Sequence, residues 1–490
     1  MLSIQEIQAF IQEDKSSRKK QIAQEANRYY QGENDILNYR MMYFNGDGDL
    51  VEDRQRTNVK IPHNFFAELV DQKTQYILSN SHEPFIKSDY PELQKELDKY
   101  FNDDFKANLS DVITYGSIAG NSYMYRYADE NGKSKFEFAD GTGIIDLESK
   151  YTSDGKNYVI YYYVDRIVKN KRIEKIQVWD ENYTYFFEKI DEQITKDKSQ
   201  KINPRPHIVY EPDKNGNIEY DTFREIPFFK YKNNRQETSD LKPIKELIDD
   251  YDMQNCSLSN NLNSPEVLYF VKGLDGEESL DKFITNIRTK KAMIAPENAN
   301  IEVKEISIPY EARKTKMELD ELNIYRFGMG LNTAQTGDGN ITNVVIKSRY
   351  SLLELKCNKA ETYLKKFLKE IIKVVLDEIN KANSWDYAIE DTYFDFKREI
   401  LVNELDNAQI DQVKAQKKQI EINTILNISS LIGNKTAIEL ICEELEIDGD
   451  KAQEIIANVK EEPEEEIKKA EETLDNMPIE SEAPAEYNNI

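Results

Sequence analysis

The sequence predicts an α+β protein: a helical opening, an aromatic β-meander and a set of long helices. Three observations predict it. Apolar residues recur at helical spacing over about residues 3–45 and 62–80, as in Phe65, Phe66, Leu69, Val70 and Ile77. From Tyr123 to Phe229 the pattern becomes short Tyr, Val, Ile and Phe runs parted by the hairpin signals Glu130-Asn131-Gly132, Ser153-Asp154-Gly155 and Lys214-Asn215-Gly216. From Asn340 to Ile432 there is neither Gly nor Pro, a run that demands long helices.

Taken in order, the opening helices are interrupted by a GDGD loop at residues 46–49. The meander holds Tyr158, Tyr161, Tyr162, Tyr163, Tyr183 and Tyr185, residues that suit a pleated, half-buried surface. A base-stacking platform competes weakly, because the neighbouring residues are not predominantly basic. After Ile226-Pro227-Phe228-Phe229, the capping pair Ser239-Asp240 opens a helix to about Asn263. Along it Leu241, Ile244, Ile248, Tyr251, Asn255, Leu258 and Leu262 follow at spacings of three and four, one narrow stripe on about 36 Å of helix. A core helix has a wider apolar face, so the stripe points to packing against identical neighbours.

A short α/β segment follows over residues 265–309, with strand-like Val267-Leu-Tyr-Phe-Val271 and Ile301-Glu-Val303 around a helical stretch at 280–288. Residues 310–330 form a second helix carrying Leu319, Leu322 and Met329, and 331–343 a polar, glycine-containing loop. The next helix, 344–381, lines up Leu353, Cys357, Ala360, Leu364, Phe367, Ile371, Val375 and Ile379. Residues 387–396 alternate like a strand, and 403–459 read as a compact helical unit. The last thirty residues hold 11 acids, 2 bases and three prolines with almost no apolar pattern, the composition of a disordered tail.

Composition narrows the function. The chain of 490 residues carries 65 Lys plus Arg against 91 Asp plus Glu, a formal charge of −26. That argues against a basic DNA-coating protein. No stretch approaches a membrane span, and MLSIQEIQAFIQEDK is a charged amphipathic start, not a signal peptide, so a cytoplasmic setting is expected. Cys256, Cys357 and Cys442 have neither disulfide nor zinc spacing and read as small buried residues. His63, His82 and His207 are too far apart for a paired site. Gly116-Ser-Ile-Ala-Gly120-Asn121-Ser122 lacks the lysine of a phosphate loop, and the calcium-like run from Asp213 ends in Arg224 where a bidentate Glu belongs. Asp47, Asp49, Glu52 and Asp53 offer a metal-binding possibility, but beside Gly46 and Gly48 they read as a solvated loop. No enzyme signature and no cofactor site emerges.

Several segments, in order, resemble the portal proteins of tailed bacteriophages infecting Gram-positive bacteria. They are Tyr29-Tyr30-Gln-Gly32-Glu-Asn-Asp-Ile-Leu37; Asn58-Val-Lys-Ile-Pro-His-Asn64 with Val70-Asp71; Tyr115-Gly116 to Gly120-Asn121-Ser122-Tyr123; and Ile226-Pro227 through Asn233-Asn234. Ser239-Asp240-Leu241 to Ile248-Asp249-Asp250-Tyr251-Asp252, Gly339-Asn340-Ile-Thr342 to Ile346-Lys347, and Phe396 to Glu404 complete the set. Asn343 and Val344 depart from the small residues that the family tends to place after Asn-x-Ser/Thr.

The resemblance implies a ring homo-oligomer, typically of twelve subunits, at one capsid vertex, passing double-stranded DNA without sequence specificity. By matching position it implies a mixed α/β wing at 1–235, stem helices at 236–263 and 310–330, and a small α/β clip at 264–309. It further implies a tunnel loop at 331–343, a long channel helix with a returning strand at 344–402, a helical crown at 403–460 and the acidic tail at 461–490. The oligomerisation stem would use Leu241, Ile244, Ile248, Tyr251, Leu258 and Leu262. Asn332, Thr333, Gln335, Asn340 and Thr342 would face DNA in the channel; the blander alternative is that they simply complete a flexible loop. Lys290 and Lys291 would meet clip partners. Implied partners are the terminase large subunit, a head-completion adaptor, and the major capsid and scaffolding proteins, with no membrane, metal or catalysis. Two rivals remain: another phage head component, such as a head-completion or scaffolding protein, and a metal-dependent nucleic-acid enzyme built on Asp47, Asp49 and Glu52.

Overall fold

The computed structural model describes residues 1–44, 48–54, 56–79, 85–129, 132–210, 212, 218–263, 267–272, 300–305, 307, 309–332, 343–396, 398, 404–445 and 451. Two units are compact in themselves: residues 1–338 with 349–400, and residues 339–348 with 401–490.

The first unit opens with α1 (Ile4–Ser16) and α2 (Arg18–Tyr30). Ser3 and Glu6 form a capping box on α1, and Ser17 both ends α1 and caps α2 by accepting from the Lys20 amide at 3.2 Å. Strands β1 (Met42–Phe44) and β2 (Leu50–Glu52) pair as an antiparallel hairpin, followed by α3 (Phe65–Ile77) and β3 (Ile86–Lys87). Then come α4 (Pro91–Tyr100), which starts on a proline, and α5 (Asp103–Ala119). Gly120 ends α5 at φ +92°, and a Cβ there would sit 2.2 Å from the Glu237 carbonyl oxygen, so only glycine fits.

The expected meander is two sheets. Strands β4 (Asn121–Ala128) and β5 (Ser134–Ala139) join the later β14 (Phe228–Lys232) in the order β14-β4-β5. Strands β6 (Ile144–Leu147), β7 (Tyr158–Val168), β8 (Lys171–Trp179), β9 (Tyr183–Ile190) and β10 (Gln193–Lys196) form an up-and-down sheet, with β11 (Arg205–Pro206) against β9. Two short strands, β12 (Ile208–Val209) and β13 (Tyr220–Asp221), pair antiparallel with each other. The 3-10 turn Gly141–Gly143 divides them, packed so closely that a Cβ on Gly143 would lie 2.2 Å from the Tyr162 carbonyl oxygen. Leu2, Ile7 and Ile11 of the N-terminal segment cover Tyr158, Ile160, Ile176, Val178 and Phe187. His207 is stacked between Trp179 and Phe223, and its burial lowers its pKa to about 4.

Helix α6 is Lys245–Asn263, five residues later than the Ser239-Asp240 signal, because Pro243 lies in the turns that occupy residues 240–244. Strands β15 (Val267–Lys272) and β16 (Asn300–Glu305) pair antiparallel, with the expected helical stretch at 280–288 outside the described residues. Helix α7 (Tyr310–Gly328) stops before Met329, whose left-handed φ of 54° closes it. Helix α8 (Asn343–Asn383) has 41 residues, about 62 Å, and buries all eight positions expected of it. Its buried row packs on α3, α4 and α5 in the largest core. The expected strand at 387–396 shrinks to β17 (Tyr393–Phe394) on β3, because Ile389–Asp391 turn as a 3-10 helix. All three cysteines are buried, and burial pushes the Cys357 thiol up to about 11.

In the second unit, α9 (Glu404–Asn427), α10 (Ser429–Ile432) and α11 (Asn434–Glu444) are helical as expected. The acidic tail at 461–490 lies outside the described residues. Among the described residues, no helix is long and apolar enough to cross a membrane.

Candidate functional site

Motifs far apart in the chain meet at the root of α6, in two polar knots. The first surrounds Asp240 in the turn before α6. Its carboxylate accepts from Lys73 Nζ at 3.0 Å and Asn233 Nδ2 at 2.7 Å, and Lys356 Nζ lies 3.2 Å away. Lys73 also donates to Ser117 Oγ at 2.8 Å and Asn233 Oδ1 at 2.5 Å. Burial would raise the Asp240 pKa, but the two ammonium groups and the Asn233 amide hold it well below the carboxylate range. Lys73 is 2% exposed, and its burial lowers its pKa despite Asp240. Two cations thus share one largely covered anion.

Lys356 extends this knot, donating to the Gly328 carbonyl oxygen at 2.9 Å. One side chain of α8 therefore holds both the lead-in of α6 and the end of α7. The start of the following loop is fixed too. Gln72 clasps the Leu331 backbone, Nε2 donating to the carbonyl and Oε1 accepting from the amide, each at 2.9 Å. Gly330 crosses Leu69 so closely that a Cβ would lie 2.0 Å from its side chain.

The second knot lies along α6. Asp252, fully buried, accepts from the His63 amide at 3.0 Å and from Asn34 Nδ2 at 2.7 Å, and its Oδ1 is 2.7 Å from His63 Nδ1. His63 Nε2 lies 2.9 Å from Asn255 Nδ2, so the polar break in the expected stripe is a partner for the ring. Beside it Tyr29 donates to Asp249, while Lys245 bridges Asp249 at 2.8 Å and Asp35 at 2.9 Å. The Asp249 and Asp35 contacts raise the Lys245 pKa although burial opposes them. Neither knot contains a nucleophile beside a base or an open, polar reaction pocket; both fix geometry.

The expected oligomerisation stripe is corrected in part. Leu241, Ile244 and Ile248 are 3%, 1% and 0% exposed and pack inside this chain against Ala26, Phe66, Leu69 and Ile324. Tyr251 is half-buried, edge-on to Phe65 at 5.0 Å, and Leu258 is half-buried. Leu262, at 65%, is open. The wider apolar exposure is on α7, at Leu319 and Leu322, and on α8, at Leu355. Asn332, expected in the channel, gives its amide to Glu321 Oε1 at 3.0 Å and is held to α7. Thr333, Gln335, Asn340 and Thr342, and Lys290 and Lys291, expected to meet clip partners, lie outside the described residues. So does Asp47, whereas Asp49 and Glu52 belong to the exposed hairpin region. Among the described residues no group of three or more His, Cys, Asp or Glu gathers as a metal site.

Lys73 and Lys356 escaped the sequence reading, and Asp252 entered it only as part of a matching motif, with no role. Lys73 had a signal: with Leu69, Val70 and Ile77 it occupies an apolar stripe position, where a cation needs a buried partner.

A family model described as "Phage portal protein, SPP1 Gp6-like" matches residues 9–451. The portal protein of Bacillus phage SPP1 is 27% identical over 364 residues, 74% of this chain and 70% of that protein. The portal protein of Clostridium phage phiCD119 is 25% identical over 428 residues, 84% and 89% of the two chains.

Proposed function

The chain belongs to the SPP1 Gp6-like family of phage portal proteins, and from that membership we propose that about twelve copies close into a ring at one capsid vertex. The ring is a conduit for double-stranded DNA during packaging and ejection and does no chemistry of its own. ATP-driven work comes from a terminase large subunit docked on the clip, which later yields to a head-completion adaptor; the major capsid and scaffolding proteins surround the ring.

The observation that carries the assembly reading is the open apolar surface of the stem pair. Leu319 and Leu322 on α7 are 51% and 43% exposed in a chain of charge −26. Three residues apart on one helix, the two leucines form an apolar patch on a single face, the kind of surface that a neighbouring copy can cover. The polar knots support the same reading, since a ring under load needs stem helices held rigidly to the body, and Lys356 holds both. An acidic conduit repels phosphate, which keeps DNA sliding. The loop at 331–343, anchored at Leu331 by Gln72, would reach toward the DNA and touch its backbone without sequence readout.

Imaging of the purified full-length chain in negative stain, with mass photometry, tests this. Closed rings with a central hole are expected. Monomers that persist at micromolar concentration and near-physiological salt would reject the ring.

A further inference from the structure

We propose that the β1–β2 hairpin is an intersubunit arm whose apolar face docks on the outer face of α7 in a second copy of this chain; this rests on the ring reading above. The hairpin register sets Met42 opposite Glu52, Tyr43 opposite Val51 and Phe44 opposite Leu50. Alternation puts Met42 and Phe44 on one face, with Leu50 beside Phe44 and Glu52 beside Met42, and puts Tyr43 and Val51 on the other. These three are 47%, 72% and 55% exposed. A two-stranded hairpin is marginal in water by itself. One that leaves Phe44 and Leu50 side by side and open to solvent calls for a cover.

The arm is mounted firmly. Residues 58–63 run extended along α6, and every second amide is taken by a side chain of that helix. Val59 N donates to Asn260 Oδ1 at 2.7 Å, Ile61 N to Cys256 Sγ at 3.2 Å and His63 N to Asp252 Oδ1 at 3.0 Å. Two extended residues advance about 6.6 Å and four helical residues about 6 Å, so the two rows stay in step. Asn58 Nδ2 donates to the Tyr39 carbonyl at 3.2 Å and Lys60 Nζ to that of Leu37 at 2.8 Å, binding the other leg of the arm. The Asp53 amide donates to the Met41 carbonyl at 2.8 Å, closing its base. The hairpin is thus braced on the stem.

The placement of these surfaces favours a second copy of the chain as the occupant. At about 100° per residue, the row Asp252, Cys256 and Asn260 is centred roughly 120° around α6 from Asp250, which pairs with Lys316 of α7. Arm and α7 therefore attach to different flanks of α6. On α7, Asp320, Ile324 and Tyr325 are buried, whereas Leu319 and Leu322, three residues apart, share a face open to solvent. In a head-to-tail ring each chain meets its neighbours through two unlike surfaces. The arm face and the Leu319/Leu322 face are unlike, apolar and mounted on different flanks, as the two halves of one such contact must be.

Engineered disulfides in the full chain test the contact. Phe44→Cys combined with Leu319→Cys or with Leu322→Cys should give, on oxidation, a ladder of covalent oligomers that the single variants lack; the native cysteines are buried. Phe44→Ser with Leu50→Ser should convert rings to monomers whose thermal unfolding matches that of wild-type monomer. Normal rings that yield no ladder with either pair, or serine variants that keep their rings, would overturn the proposal. Serine-variant rings that fail to enter heads would overturn it in favour of a capsid-protein partner. A wild-type chain that forms no rings would reject the assembly reading, and the arm with it.

Discussion

At the scale of residues, the decisive group is Lys73, Asp240 and Lys356, of which Lys73 is buried and the other two are largely covered. Its charges do not balance, so removing different members has opposite consequences. Asp240→Asn leaves two ammonium groups around a neutral amide and should destabilise the chain by about 3–5 kcal/mol. Lys356→Met leaves Lys73 and Asp240 as a balanced pair still hydrogen-bonded by Asn233. Its loss should be only about 1–2 kcal/mol, from the bond to Gly328 and the weaker field at Asp240. Denaturant titrations of the two variants check the contrast. Equal losses would mean that packing, rather than charge, sets the cost of altering this group. The set was only partly legible in the sequence: Lys73 stands out in its stripe, but its partners are 167 residues away at Asp240 and farther still at Lys356, a distance that local patterning cannot bridge.

At the scale of elements, legibility depended on who covers the apolar face. Helix α8 was readable because its wide face is buried inside one unit, so all eight expected positions are covered. The stripe from Leu241 to Leu262 has the same periodicity, but periodicity says only that a face is apolar. Its first half is covered by α2, α3 and α7 of the same chain, and its last residue is open. The turn that leads into α6 shows a further dependence. Glu237, at φ 51°, lies within 3.1–3.2 Å of Lys232 and Lys230, accepts from Asn121 Nδ2 at 3.0 Å and meets Lys19. Burial would raise its pKa, yet these partners, Lys19 and Lys230 foremost, lower it to about 2 from an ordinary 4.5. A depressed carboxylate stabilises the fold above its unfolded pKa, and that contribution disappears as pH falls from 4.5 toward 2. Glu237→Gln should therefore lose on the order of 1–2 kcal/mol at pH 7, after allowance for solvent screening, roughly a quarter of that near pH 2.5, and almost nothing once the pH is well below about 2. Thermal melts across that range check it. A difference between wild type and variant that does not change with pH would assign the effect to shape instead.

At the scale of the whole molecule, charge and assembly oppose each other. Each copy carries −26, of which the last thirty residues supply −9. A closed ring brings such copies within contact distance, so self-repulsion weakens it unless salt screens the charges. The screening length is about 8 Å at physiological salt and about 30 Å near 0.01 M, so at low salt repulsion acts between whole neighbouring subunits and not only across their contacts. The apolar surfaces that favour closure, among them Leu319 and Leu322, depend far less on salt. Ring formation should therefore fail near 10 mM salt and recover by about 150 mM. A chain ending at Lys460 removes −9 and leaves −17, so it should assemble at lower salt than the full chain while keeping ring symmetry and melting temperature. Mass photometry across a salt series, run on both chains, measures the shift. If the shortened chain needed more salt, or lost its ring, the tail would be making contacts with a neighbouring subunit that outweigh its charge, and the composition-based reading of it as a disordered appendage would fall.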